Sequence, residues 1–160
     1  MRLVLLRHAD ALDDAGRPDA ERRLSGQGRG DAVRIGGALA ARGVRPDLIV
    51  SSPANRALST VVLAAPAMGY GIDRIVTDPG LYQATPQELR EAARRHGGAG
   101  HCLLLAGHNP GLRQLGLSLG VPAEWTMPKA HAALFAVDAW DRLEGARFEG
   151  MVLPQPPPKP

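Results

Sequence analysis

Three separate stretches of this 160-residue chain carry side chains that could do chemistry together. Arg7 and His8 come directly after the apolar run Leu3 to Leu6. Arg56 comes shortly after Ser51, Ser52 and Pro53, which lie behind Leu48 to Val50. His108 stands between Gly107 and Asn109, behind the run Leu103 to Ala106. An Arg guanidinium is a planar fork that binds phosphate oxygens bidentately. An imidazole set among such forks can attack phosphorus, giving a covalent phosphohistidine that water later hydrolyses. Phosphoryl transfer asks for in-line placement and neutralised equatorial oxygens, and arginines can do the neutralising without a metal ion.

These stretches can meet only if one sheet holds the runs that precede them. Arg2 to Leu6 reads as a first strand and Asp10 to Arg23 as a long polar loop of the kind that carries function or disorder. Ser25 then caps a helix to about Arg42, stopped by Gly43. Asp47 to Ser51 is a second strand, after which Pro53 opens a helix as its first residue. Arg74 to Thr77 is a third strand. Thr85 and Pro86 start a helix to about His96, Cys102 to Ala106 is a fourth strand, and Asn109 and Pro110 open a helix to about Leu119. Ala132 to Val137 and Arg147 to Leu153 close the pattern as strands.

Such alternation predicts a three-layer α/β sandwich, with a largely parallel central sheet flanked by helices. Ligands of these sheets sit beyond the carboxyl ends of the strands, which is where Arg7, His8, Arg56 and His108 fall. Helix N-termini at Pro53 and Pro110 would add backbone N–H groups and dipole to the same rim. Residues 1–153 are expected to form one domain, and the proline-rich residues 154–160 a disordered tail.

Composition narrows the class. A chain that is 44% apolar and 22% charged is globular and long enough for one core. No run approaches the roughly 20 apolar residues of a membrane span, and the N-terminal run is too short for a signal peptide. Cys102 is alone, so no internal disulfide or cysteine zinc site is expected. The expectation is a cytoplasmic domain with no cofactor and no membrane contact. Net charge is +3, with 17 Arg against only Lys129 and Lys159, which favours an anionic partner. Scattered basic residues and 4% aromatics argue against nucleic acid.

The segments Leu6 to Asp10 (LRHAD), Ser51 to Arg56 (SSPANR) and Gly107 to Gly111 (GHNPG), in that order, resemble the histidine phosphatase superfamily. Arg22 to Gly28 (RRLSGQG) is similar to the Arg-Pro-Leu-Thr-x-x-Gly stretch of its small SixA-type phosphohistidine phosphatases, and the chain lacks the insertions of the sugar-phosphate mutases. The resemblance covers residues 2 to about 137. It implies the phosphoglycerate mutase-like fold, His8 as nucleophile, and Arg7, Arg56 and His108 as the phosphate pocket, with Arg22 contributing. From the residues themselves no cofactor and no metal are expected. One departure stands out. Many relatives carry a Glu proton donor in a Leu-x-Glu context where this chain reads Leu81-Tyr82-Gln83, and Gln83 cannot transfer a proton. Asp10 is the nearest acid in sequence.

Blander readings apply to the remaining residues. His96, His101 and His131 fit structural or solvated roles. His8 and Asp10 have metal-like spacing without a third ligand. Gly26 to Gly30 is preceded by no strand and lacks the lysine of a nucleotide loop, and Ser51 and Ser52 lack the Gly-x-Ser-x-Gly elbow of a serine hydrolase. Three functions remain. The leading one is dephosphorylation of phosphohistidine in a partner protein, favoured by a short chain with a shallow, open pocket. The others are hydrolysis of a small phosphoester and phosphate binding without turnover. A monomer is expected.

Overall fold

Side-chain alternation along the first strand decides the layers. In β1 (Arg2–Arg7) Leu3 and Leu5 enter one buried cluster while Val4 and Leu6 enter another. A strand buried on both faces needs helices on both faces. In the computed structural model, which describes residues 1–157 and 159, α1 (Gly26–Ala41) and α2 (Asn55–Ala64) cover the Val4 face. The Leu3 face is covered by α3 (Pro86–Gly97) and α4 (Gly111–Ser118). Phe135 and most of the leucines, isoleucines and valines of these layers are essentially solvent-free. Each such side chain contributes about 1.5–3 kcal/mol through burial.

Among the described residues the sheet has six strands, in the order β3-β2-β4-β1-β5-β6. With β2 (Leu48–Ser51), β3 (Val76–Thr77) and β4 (Cys102–Gly107), β1 makes a parallel group. The remaining strands are β5 (Ala132–Ala136), antiparallel to β1, and β6 (Arg147–Val152), antiparallel to β5. This is the sandwich expected from the sequence.

Local chemistry explains most boundaries. Ser25 accepts the Gly28 N–H at 2.9 Å and caps α1. Gly28 is a glycine because a Cβ there would run into the Asp10 carbonyl. Thr85 and Glu88 form a reciprocal capping box across Pro86.

Three element boundaries need correction. α2 begins at Asn55, not at Pro53, because the Ser52 hydroxyl takes the Ala54 N–H at 3.2 Å and holds residues 52–54 in a turn ahead of the helix. α4 begins at Gly111, with Pro110 as its cap residue. Gly111 packs against the Ala84 carbonyl, where any Cβ would collide. β3 keeps only two of its four expected residues, since Ile72–Arg74 winds into a 3-10 turn. In the expected tail, residues 154–157 have no regular secondary structure, and Pro154 to Pro156 line a groove with Arg34, Ala38 and Ala41 of α1. Positions 158 and 160 of that tail lie outside the described residues.

Candidate active site

The site forms where the parallel strands end. In register, Arg7 of β1 lies opposite Gly107 of β4, and Ser51 of β2 opposite Ala106. The ladder runs one residue further: the His8 N–H donates to the Gly107 carbonyl at 3.2 Å and the Ser52 N–H to the Ala106 carbonyl at 2.9 Å. That register brings His8, Ser52 and His108 to one floor, with the rings of His8 and His108 5.2 Å apart between centroids. All three are buried.

Arg56 joins from the first turn of α2. One turn later Thr60 accepts the Ala9 N–H at 3.0 Å and donates to the Arg56 carbonyl at 2.6 Å, pinning α2 to the end of β1. The buried Arg56 guanidinium places its Nε 3.4 Å from His8 Nε2. Arg7 is fixed by donation from Nη1 to the Met127 carbonyl at 2.9 Å, which Asn109 Nδ2 also reaches at 3.0 Å. Among the described residues, Arg7 Nε and His108 Nδ1 are buried without a hydrogen-bond partner. Buried N–H donors are nearly always satisfied, so unpaired ones converging on one floor point to a ligand with acceptor oxygens.

His8 Nδ1 lies 2.7 Å from the Ala9 carbonyl, which can only accept. Nδ1 therefore carries the hydrogen, and the Nε2 lone pair faces Arg56. Burial holds the His8 pKa down to about 3, and the positive charge of Arg56 and Arg7 works in the same direction. Burial, then Arg56, holds His108 at about 4. Both rings are neutral at pH 7, so His8 Nε2 is available as a nucleophile without prior deprotonation.

A second group of side chains stands over this floor. Asp19, in the 3-10 turn Asp19–Glu21, accepts from Arg56 Nη2 at 3.0 Å through Oδ2, while its carbonyl accepts from Nη1 at 2.8 Å. The Tyr82 hydroxyl donates to the same carboxylate at 2.6 Å, and Arg22 Nη1 reaches its other oxygen at 3.3 Å. The Tyr82 hydrogen bond and then Arg56 pull the Asp19 pKa down to about 2. Tyr82 also stands edge-on to His108, 5.5 Å between centroids.

The structure thus brings together Arg7, His8, Arg56 and His108, and brings Arg22 to them through Asp19. Arg23 turns away to Asp14. Gln83 is exposed, and Tyr82 is the residue of that loop that reaches the pocket. Asp10 is engaged elsewhere, bonded to Lys129 at 2.7 Å and to the capping Ser25 at 2.7 Å. His96 pairs with Asp78, and His131 bonds the Lys129 carbonyl. Among the described residues no group of three His, Cys, Asp or Glu is placed to hold a metal ion, and no helix is long and apolar enough to cross a membrane.

Sequence reasoning missed Asp19, Tyr82 and Thr60, and gave Ser52 no role. Two spacings could have flagged two of them: Asp19 stands three residues before Arg22, and Thr60 one helical turn after Arg56.

The family model of the histidine phosphatase superfamily (branch 1) matches residues 3–96, more than half of the chain, and the chain belongs to that family. It is a phosphatase by this match and by its neighbours, and His108 lies beyond the matched region. Its structural likeness is to SixA proteins. It superposes on the Agrobacterium tumefaciens protein assigned as phosphohistidine phosphatase SixA with a TM-score of 0.81 and 26% identity, over 96% of this chain and 98% of that one. A mycobacterial glucosyl-3-phosphoglycerate phosphatase shares the fold with a TM-score of 0.69 and 21% identity, over 96% of this chain and 98% of its own. An uncharacterized chloroplastic protein of Arabidopsis thaliana is 28% identical over 170 residues, covering 96% of this chain and 78% of that protein.

Proposed function

We propose that this phosphatase works without a metal, through a covalent intermediate on His8, and that its substrate is phosphohistidine carried by a partner protein. The observation that carries the reading is the His8 ring: Nδ1–H is committed to the Ala9 carbonyl, and the Nε2 lone pair stands among Arg7, Arg56 and His108. Nε2 attacks phosphorus, the bond from phosphorus to the substrate imidazole nitrogen breaks, and that nitrogen takes a proton from solvent. Water then attacks the phosphorus on His8, releasing phosphate and returning the neutral ring. Arg7 and Arg56 neutralise the equatorial oxygens in both steps, with Arg22 at the edge.

The phosphohistidine substrate is supported by the leaving group. An alkyl phosphoester expels a poor leaving group and depends on a positioned acid, typically for 10²–10⁴-fold in rate. Gln83 offers no proton, and the Asp19 carboxylate, held at about 2, is ionised at neutral pH. An imidazole leaves more readily. The likeness to the SixA protein at 26% identity points the same way.

Turnover of three substrates side by side tests this: a phosphohistidine protein, an alkyl phosphate metabolite such as a phosphoglycerate, and an aryl phosphate. The phosphohistidine protein is expected to be hydrolysed fastest and the alkyl ester slowest, with no response to EDTA. Fastest turnover of the alkyl ester would establish the small-molecule reading, and loss of activity on chelation would overturn the metal-free mechanism.

A further inference from the structure

Ser52 has no part in the chemistry above, yet it is fully buried and in contact with the floor. We propose that Ser52 is a positioning residue that sets the tautomer of His108, so that His108 presents an N–H, and not a lone pair, to the phosphoryl group. The inference rests on the phosphatase reading of this pocket.

A hydroxyl has one hydrogen to give and two lone pairs to receive. One lone pair of Ser52 Oγ takes the Ala54 N–H at 3.2 Å. Its hydrogen cannot go to bulk water, because Ser52 has no exposed surface. Its neighbour Ser51 already donates its own hydroxyl to the Ser52 carbonyl at 2.9 Å. The acceptor within reach of Ser52 is His108 Nε2, at 2.8 Å. When Nε2 accepts, a neutral ring must carry its hydrogen on Nδ1. His108 Nδ1 is buried and, like Arg7 Nε, has no hydrogen-bond partner among the described residues. The opposite tautomer would leave the Ser52 hydrogen unpaired in a dry interior and turn a lone pair toward the substrate's anionic oxygens. Both penalties favour Nδ1–H, together by well over tenfold.

The two histidines of the floor thus share a tautomer and have opposite tasks. His8 donates its Nδ1–H to a carbonyl and keeps the Nε2 lone pair for attack. His108 accepts at Nε2 from a hydroxyl and keeps the Nδ1–H for donation. The Ala9 carbonyl and the Ser52 hydroxyl separate the nucleophile from the donor.

Nitrogen-15 NMR of histidine-labelled protein at pH 7 reads the protonated nitrogen directly, before and after addition of inorganic phosphate. The expected result is Nδ1–H on His108 in the wild type and in Ser52→Thr, and a mixture of tautomers in Ser52→Ala. On an aryl phosphate, Ser52→Ala is expected to lose about tenfold in kcat, while Ser52→Thr stays within about threefold of wild type. A hydrogen on Nε2 of wild-type His108 would overturn the proposal, whatever the activity. Unchanged Nδ1–H in Ser52→Ala would overturn it as well. If Ser52→Ala does not fold, the wild-type spectrum decides. A wild type with Nδ1–H on His108 and no turnover of any phosphorylated substrate would sink the phosphatase mechanism and leave the role of Ser52 in setting the tautomer intact.

Discussion

The floor and the mouth of this pocket are built in different ways. The floor consists of Arg7, His8, Ser52, His108 and Arg56, held by strand register, by backbone carbonyls and by the Thr60 clasp. The mouth consists of Asp19, Arg22 and Tyr82, held mainly by side-chain contacts between loops, with the Asp19 side chain 43% exposed. Floor groups are histidines neutral at pH 7, the buried Arg56 fork and the half-buried Arg7 fork, each fixed by contacts within the protein. The mouth carries an ionised carboxylate lying on Arg56, where a phosphoryl oxygen would bind. Chemistry is preorganised below, and access is negotiated above.

The comparison breaks most sharply at His8. His8→Ala is expected to lose essentially all turnover while keeping its circular dichroism spectrum. Rapid quench should trap an acid-labile, base-stable phosphate on wild type and none on the variant. Substantial residual activity would remove His8 from the role of nucleophile.

Next come the forks. Arg56→Ala and Arg7→Ala each remove preorganised donors from the transferring group, and kcat/KM should fall about 10²–10³-fold. A drop under fivefold would mean that the floor is not where phosphate charge is neutralised.

The mouth should respond in a different direction. Asp19→Asn removes a negative charge that competes for Arg56. Inorganic phosphate or tungstate, as competitive inhibitors, should bind a few-fold more tightly to the variant. Weaker inhibition would show that Asp19 organises Arg56 for substrate instead of competing with it.

Acid stability separates the two regions by pH. In the unfolded chain a histidine takes up its proton near 6.5, whereas His108 and His8 resist to about 4 and 3. Between pH 6.5 and 4 the unfolded state binds more protons, so stability falls with falling pH, by about 1.4 kcal/mol per pH unit for each histidine. Asp19 acts lower. Its folded pKa is depressed to about 2, so its contribution is present above the normal carboxylate value near 3.8 and fades only as pH drops toward 2. Denaturant titrations should therefore show a shallower slope between pH 6.5 and 4 for His108→Asn, and no change there for Asp19→Asn.

Gln83→Glu should have the smallest effect. With Gln83 exposed and Tyr82 turned to the pocket, the new carboxyl is expected to change alkyl phosphate turnover by less than about twofold. A rise of tenfold would show that the loop brings residue 83 to the leaving group during turnover.

The fold was legible because its signals are local. Apolar runs ending in Arg7, Ser51 and Gly107 mark buried parallel strands, and Ser25, Thr85 and Pro86 announce their helices through caps that act within four residues. The start of α2 was misplaced because Pro53 is a common first helical residue, and only the Ser52 turn shows that the helix waits for Asn55.

From the sequence alone one could place His8, Arg7, Arg56 and His108 on a common rim, since strand polarity brings the residues after each parallel strand to the same end of the sheet. Tertiary structure decided how each of them works. The Ala9 carbonyl lies against Nδ1 of His8 and the Ser52 hydroxyl against Nε2 of His108. Asp19 meets Tyr82 across 63 positions of chain and Arg56 across 37. A hydrogen bond has a reach of about 3 Å and no period in sequence, so pairs of this kind exist only once the sheet has brought the loops together.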